Sequence, residues 1–363
     1  MSCNVFIIGK TGAGKSSLLN YLAGNKPLED CGINTSSGGL TKGFHNHHVN
    51  IYGLDYVLID SEGYEVSEIS YWEELIKNKV NVFIQSDKAD EAFPIILYCI
   101  DGSGNRVVDV DIETIKRLSS LHLGIVLVIT KTDICTYEDV LAMCNIIEKE
   151  CEMKSVIITS NIRNQQEDYK IKLMEEIVKA WAYTVRYRFP NFVYEKIFYD
   201  LASWKDSKIL ELNLMKMSSS NKYKKELQET MNRDVQQKIE EINHIIRTRC
   251  DEGIKTVLEL HKRFGEFSNR QELEDLLPLL IVKLQNISNI NNSKEPKWNI
   301  TLSSSLIFLT LGLVPGLIFT AIKNKVQINQ LRKSATSSFM NTWDQINCEC
   351  VKQKNKLSEY LLK

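Results

Sequence analysis

Apolar and polar positions along the 363-residue chain follow two different rhythms. Up to about residue 160, short β-branched apolar runs alternate with amphipathic stretches, the pattern of an open, mostly parallel α/β sheet. Strands are predicted over 4–8, 45–51, 56–60, 95–101, 125–130 and 155–159, and helices over 15–23, about 68–80, about 109–121 and about 137–151. Tyr52-Gly53-Leu54-Asp55 reads as a hairpin turn between the second and third strands, so one edge strand should run antiparallel. From about residue 166 the rhythm is helical. Met231, Val235, Ile239, Ile242, Ile246, Ile254 and Val257 step by threes and fours, or by eight across Cys250, and mark the buried stripe of one long helix.

One stretch stands apart. Between Lys297 and Lys323 lie 25 consecutive uncharged residues, and 306–322 is nearly all apolar. A run of about 20 such residues spans a hydrocarbon core as a helix. Pro315-Gly316 near its middle would kink it or turn it back, and Lys323, Lys325, Arg332 and Lys333 follow as a headgroup-binding flank would. Two readings stay open: insertion into lipid, or burial as the central helix of a bundle. The expected division is 1–165 and 166–363, with the apolar segment at 300–322.

Composition is that of a folded protein, 43% hydrophobic and 25% charged, which excludes disordered and fibrous classes. The net charge of −1 conceals an asymmetry: residues 1–166 carry −8 and residues 167–363 carry +7. Nine cysteines, an odd number without a Cys-x-x-Cys pair, argue against a disulfide or zinc framework and for reduced thiols. The apolar run at 5–8 ends at once in a Gly-rich loop and does not resemble a signal peptide. A cytoplasmic location, with possible membrane association, is expected.

Gly9-Lys10-Thr11-Gly12-Ala13-Gly14-Lys15-Ser16 fits G-x-x-x-x-G-K-[ST] between a predicted strand and a predicted helix. Residues Gly9 to Ser17 would cradle phosphates with backbone N–H groups at a helix N-terminus. Lys15 would reach the β- and γ-phosphates and Ser16 would take one position on Mg²⁺. Asp60-Ser61-Glu62-Gly63 follows the third strand as D-x-x-G. There Asp60 would face Mg²⁺ through water and the Gly63 N–H would face the γ-phosphate.

Thr130-Lys131-Thr132-Asp133 fits [NT]-K-x-D at a strand end. The Asp133 carboxylate can accept from guanine N1–H and the exocyclic amine, a donor pair that adenine lacks, so the box selects GTP or GDP. The Lys131 stem would cover the base. Thr159-Ser160-Asn161, after the last strand, would bind guanine O6 through the N–H groups of Ser160 and Asn161. The Ser-, Thr- and Gly-rich segment 32–44 reads as a switch. Thr41 is favoured over Thr35 as the hydroxyl that binds Mg²⁺ only with γ-phosphate present. His45, His47 and His48 are read as alternation on an exposed edge strand.

On GKTGAGKSSLLNYLAG at 9–24, LTKGF at 40–44, IILYCIDGSGNR at 95–106 and TKTD at 130–133, the first 160 residues or so resemble septin-related GTPases, including the GIMAP family, and Era-like or YfjP-like bacterial GTPases. The resemblance implies a three-layer P-loop GTPase domain with one antiparallel edge strand, followed here by an all-α region. It implies GTP hydrolysis by a switch or assembly protein that forms a homodimer or oligomer through the G domain. Arg106 falls near where an arginine is sometimes supplied in trans, although a solvated loop arginine fits the sequence as well. Two catalytic devices are missing: Tyr64 follows Gly63 where a water-orienting glutamine is common, and Gly12 stands where potassium-activated relatives carry Asn. Turnover by the monomer is therefore expected to be slow. A dynamin-like membrane-remodelling GTPase and a ribosome-assembly GTPase are the alternatives. A +7 excess spread over nearly 200 residues argues against nucleic acid and leaves an anionic membrane as the possible partner.

Overall fold

The computed structural model describes residues 2–24, 43–61, 63, 69–84, 86, 88–89, 91–104, 106–153, 156–158, 167–218, 220–267, 280–287 and 321–363. Six strands form one sheet: β1 (Ser2–Gly9), β2 (Phe44–Ile51), β3 (Leu54–Ser61), β4 (Ile95–Asp101), β5 (Ile125–Thr130) and β6 (Val156–Ile158). Their spatial order is β2-β3-β1-β4-β5-β6. β2 pairs antiparallel with β3, and every other pairing is parallel. The hairpin joining β2 and β3 turns on Tyr52 and Gly53, with φ of 51° and 80°. Asn50 stabilises the turn by accepting from the Gly53 N–H at 3.1 Å and donating to Asp55 at 2.8 Å. Positive φ at both central residues matches the strand twist.

The inner strands read as unbroken apolar runs because helices cover both of their faces. Val5 to Ile8, Ile95 to Ile100 and Ile125 to Ile129 are all buried. The covering helices are α1 (Lys15–Leu22), α2 (Ile69–Ile84), α3 (Asp109–Ser119) and α4 (Tyr137–Cys151). One face of the sheet shares a core with Trp72, Ile76 and Val80 of α2, Ile115 of α3 and Met143 of α4. On β2, His45 and His48 are exposed as the edge-strand reading expects. His47 is buried on the face it shares with Val49 and Ile51, whereas His45, on the same face but near the start of the strand, is exposed.

Three long helices follow: α5 (Glu167–Leu214), α6 (Asn221–Phe267) and, after a short α7 at 280–287, α8 (Ala321–Leu362). All seven stripe residues of α6, and Cys250 between them, are buried. The structure divides in the main into two compact units, Met1–Phe189 with Glu252–Gln285, and Pro190–Asp251 with Asn286–Leu361. In the second, Leu212, Met217, Leu227 and Met231 pack with Leu331, Ala335 and Phe339. No helix among the described residues is long and apolar enough to cross a membrane, and the apolar segment 300–322 lies almost wholly outside those residues.

Candidate functional site

β1 lies between β3 and β4, the point at which the strand order reverses, so the crevice at the carboxyl ends of the strands is the expected ligand site of a doubly wound sheet. Gly9, Asp60, Asp101 and Thr130 all stand at or next to those ends. The loop from β1 to α1 depends on glycine. A Cβ at Gly9 (φ 146°) would sit 2.4 Å from the Cys99 carbonyl oxygen, and one at Gly14 (φ 80°) would press on Thr130 at 3.2 Å. Gly14 caps α1 without a side-chain hydrogen bond, and no acidic residue occupies the first turn. The N–H groups and the dipole of that turn are therefore left for an anion.

Lys15 is 7% exposed, and its ammonium donates to the carbonyls of Gly9 at 3.0 Å and Lys10 at 2.8 Å. Burial lowers its pKa, against the opposing pull of Cys99 and Asp60. Ser16 and Gly14 are half-buried, Ala13 is buried, and Thr11, Gly12 and Ser17 are exposed along the loop. Asp60 is 2% exposed, and its Oδ1 is buried without a hydrogen-bond partner among the described residues. Burial pushes its carboxyl up to about 6, with Lys15, His45 and the Ser61 N–H acting in the other direction. Gly63 is packed so tightly on the loop that a Cβ there would lie 2.5 Å from the Thr11 Cα.

The guanine box is tied to the phosphate loop. Thr130 Oγ1 lies 2.8 Å from the Ala13 carbonyl oxygen and 3.1 Å from that of Ile100. Lys131 takes a left-handed conformation (φ 55°), and Asp133 is exposed in the 3-10 turn that follows. The Lys131 ammonium meets Asp101 at 2.7 Å, while the Ser103 N–H and hydroxyl donate to the other Asp101 oxygen at 2.9 and 2.6 Å. Opposite, Lys10 pairs with buried Asp111 at 3.0 Å, and Asp111 also accepts from the Tyr98 hydroxyl at 2.9 Å. Arg106 is exposed in the loop between β4 and α3. Thr35, Thr41, Tyr64, Ser160 and Asn161 lie outside the described residues.

Neither Asp101 nor Asp111 stands out in the sequence as a site residue. Asp101 had one legible signal, a carboxylate closing an apolar strand beside the other strand-end residues. Asp111 had none, because its partners Lys10 and Tyr98 become neighbours only when β1 and β4 pair.

Comparison with known proteins agrees with this geometry. Residues 4–131 match the family described as 50S ribosome-binding GTPase. The match takes in about a third of the chain and marks a GTPase domain there. Over the GTPase domain the chain is 27% identical, across 155 residues, to cell division control protein 10 of Candida albicans, covering 38% of this chain and 43% of that protein. It is 34% identical, across 130 residues, to GTPase Der of Campylobacter concisus, covering 36% and 25%. The chain thus spans less than half the length of either relative. The septin-related and Era-like resemblances are both represented among the relatives. Among solved structures, the LeoA bacterial dynamin GTPase from ETEC aligns over 99% of this chain and 85% of that one, at 11% identity and a TM-score of 0.34.

Proposed function

We propose that the chain binds GTP with Mg²⁺ and hydrolyses it to GDP and phosphate, slowly as a monomer, as a switch or assembly GTPase. The observation that carries this reading is the pairing of two groups unsatisfied among the described residues: the first turn of α1, which has no side-chain cap, and the buried Asp60 Oδ1. A hydrated divalent cation supplies what that oxygen lacks, and a polyphosphate supplies what the helix end lacks. Ser16 and Asp60 are the residues of this chain that fit the cation, with Thr41 as the switch ligand. When bound, Mg²⁺ would neutralise charge on the β- and γ-phosphate oxygens.

The remaining steps belong to the chain. Lys15, already desolvated, would exchange its two loop carbonyls for phosphate oxygens. The Gly63 N–H would sense the γ-phosphate from its position against Thr11. Asp133 would read guanine, with Lys131 held over the base by Asp101, and Ser160 and Asn161 would serve O6. The domain responsible is residues 1–165, acting as a G-domain dimer, with Arg106 supplied across it. The region 166–363 would associate with an anionic membrane through the apolar segment at 300–322. A location in the cytoplasm at the membrane surface follows from this reading.

Asp133→Asn tests the nucleotide assignment. Xanthine carries an oxygen where guanine carries its amine, so the amide introduced at position 133 should turn that contact from repulsive to attractive. Titration of the variant with labelled nucleotides should show GTP affinity reduced by about 10² or more and XTP affinity raised, in line with a buried polar mismatch. An unchanged GTP affinity would remove Asp133 from the site.

A further inference from the structure

In the second unit, two stretches far apart in sequence become one surface. The turn between α5 and α6 packs against the first turns of α8 through Met217 and Leu227 on one side and Leu331 and Ala335 on the other. Arg332 of α8 fastens the contact by donating to the Met215 carbonyl at 3.0 Å. The two stretches, 214–225 and 321–343, hold eight Lys and Arg residues and no Asp or Glu. Lys216, Lys222, Lys225 and Lys333 are exposed. Glu226 and Glu229 reach Lys222 and Lys225 only at 3.9 Å, as exposed i,i+4 pairs too weak to neutralise them.

Aliphatic side chains stand among these lysines. Leu214 and Val326 are 76% and 53% exposed. A nucleic-acid backbone is met by cations and polar donors, whereas cations interleaved with exposed aliphatic groups match the boundary between headgroups and acyl chains. The place of the 25-residue uncharged run supports the same occupant, because it joins α8 directly at its first residues.

We propose that the surface made by the α5–α6 turn and the first turns of α8 docks onto an anionic lipid headgroup layer. Resting on the membrane reading above, this surface adds a headgroup site that lies outside the apolar run and is mostly contributed by a different part of the chain.

The test is co-sedimentation of the full chain with vesicles of phosphatidylcholine alone or with a third phosphatidylserine, over a range of salt. Two variants accompany the wild type: the fourfold change Lys216→Gln, Lys222→Gln, Lys225→Gln and Lys333→Gln, and the double change Leu309→Asp and Leu313→Asp in the apolar run. The wild type should prefer anionic vesicles and weaken with salt. The fourfold variant should melt as the wild type does and lose about fivefold in affinity per lysine, several hundredfold in all. The apolar-run variant should keep salt-sensitive binding.

Wild-type affinity in the fourfold variant would overturn the surface while leaving the apolar run as a membrane element. Tighter binding to a duplex RNA than to anionic vesicles would assign the patch to nucleic acid and overturn it too. Absence of vesicle binding by the wild type would remove both the surface and the membrane reading.

Discussion

Asp60 shows how a single site residue can weaken the fold that holds it. Its carboxyl rises from 3.8 to about 6, chiefly through burial. The folded state therefore binds the proton more tightly than the unfolded chain does, so stability falls as pH rises from about 4 to 6 and stays reduced above that window. The net shift, left after the opposing pull of Lys15, corresponds to something on the order of 3 kcal/mol. In chelator-treated, nucleotide-free protein, Asp60→Asn should raise the melting temperature at pH 7 and flatten its dependence between pH 4 and 6. Nucleotide binding by the same variant should lose its response to Mg²⁺. A variant that melts lower at pH 7 while retaining wild-type pH dependence would show that the Asp60 carboxylate is satisfied in the native state. The D-x-x-G spacing points to Asp60 as a site residue. Its unmatched oxygen was not legible there, because burial of a side-chain atom is set by tertiary packing and leaves no mark in the local sequence.

At the scale of elements, strand positions and the one antiparallel edge were read from patterns that local chemistry dictates. Continuous apolar runs mark strands covered on both faces, and Tyr52-Gly53 fixes the antiparallel edge. Element ends moved by a few residues: α2 runs to Ile84 and β3 starts at Leu54. His47 escaped the pattern because a histidine counts as polar in a period-two reading even when its strand parity points inward. What no periodicity reveals is how closely α5 approaches the sheet. The Gly124 N–H, just before β5, donates to Thr184 Oγ1 at 2.7 Å, and a Cβ at Gly124 would lie 1.9 Å from the Ala180 carbonyl oxygen. Glycine is required at position 124 by contact with helix backbone, not by its own φ. Thr184→Val should strand a buried N–H and cost about 1–3 kcal/mol, while Thr184→Ser should cost less. Gly124→Ala should exceed both, since backbone must move. Denaturant melts of the three variants would check the ranking, and an Ala at 124 tolerated at wild-type stability would mean that α5 packs farther from β5.

For the whole molecule, the net charge of −1 is a poor guide, because −8 and +7 belong to different parts of the chain. The split was visible in the sequence, yet the basic surface was not, since the α5–α6 turn and α8 are about a hundred residues apart and meet only through packing. The same limit applies to catalysis. On the proposed reading Lys15, Asp60, Gly63 and the α1 N-terminus would serve one phosphate site, but Tyr64 follows Gly63 where a water-positioning glutamine is common. On that reading the added charge would come from outside the protomer, and Arg106, exposed in the loop after β4, is the candidate donor. An arginine brought to the γ-phosphate contributes about 10³ to 10⁵ in kcat. GTP turnover per molecule should therefore rise steeply with protein concentration, and size-exclusion chromatography should show a larger species with a non-hydrolysable GTP analogue than with GDP. Arg106→Ala should abolish the concentration dependence while leaving nucleotide affinity unchanged, because an arginine acting across a dimer touches the nucleotide only after association. Turnover that is independent of concentration, or a dependence that survives Arg106→Ala, would return this residue to solvent and place the missing charge elsewhere.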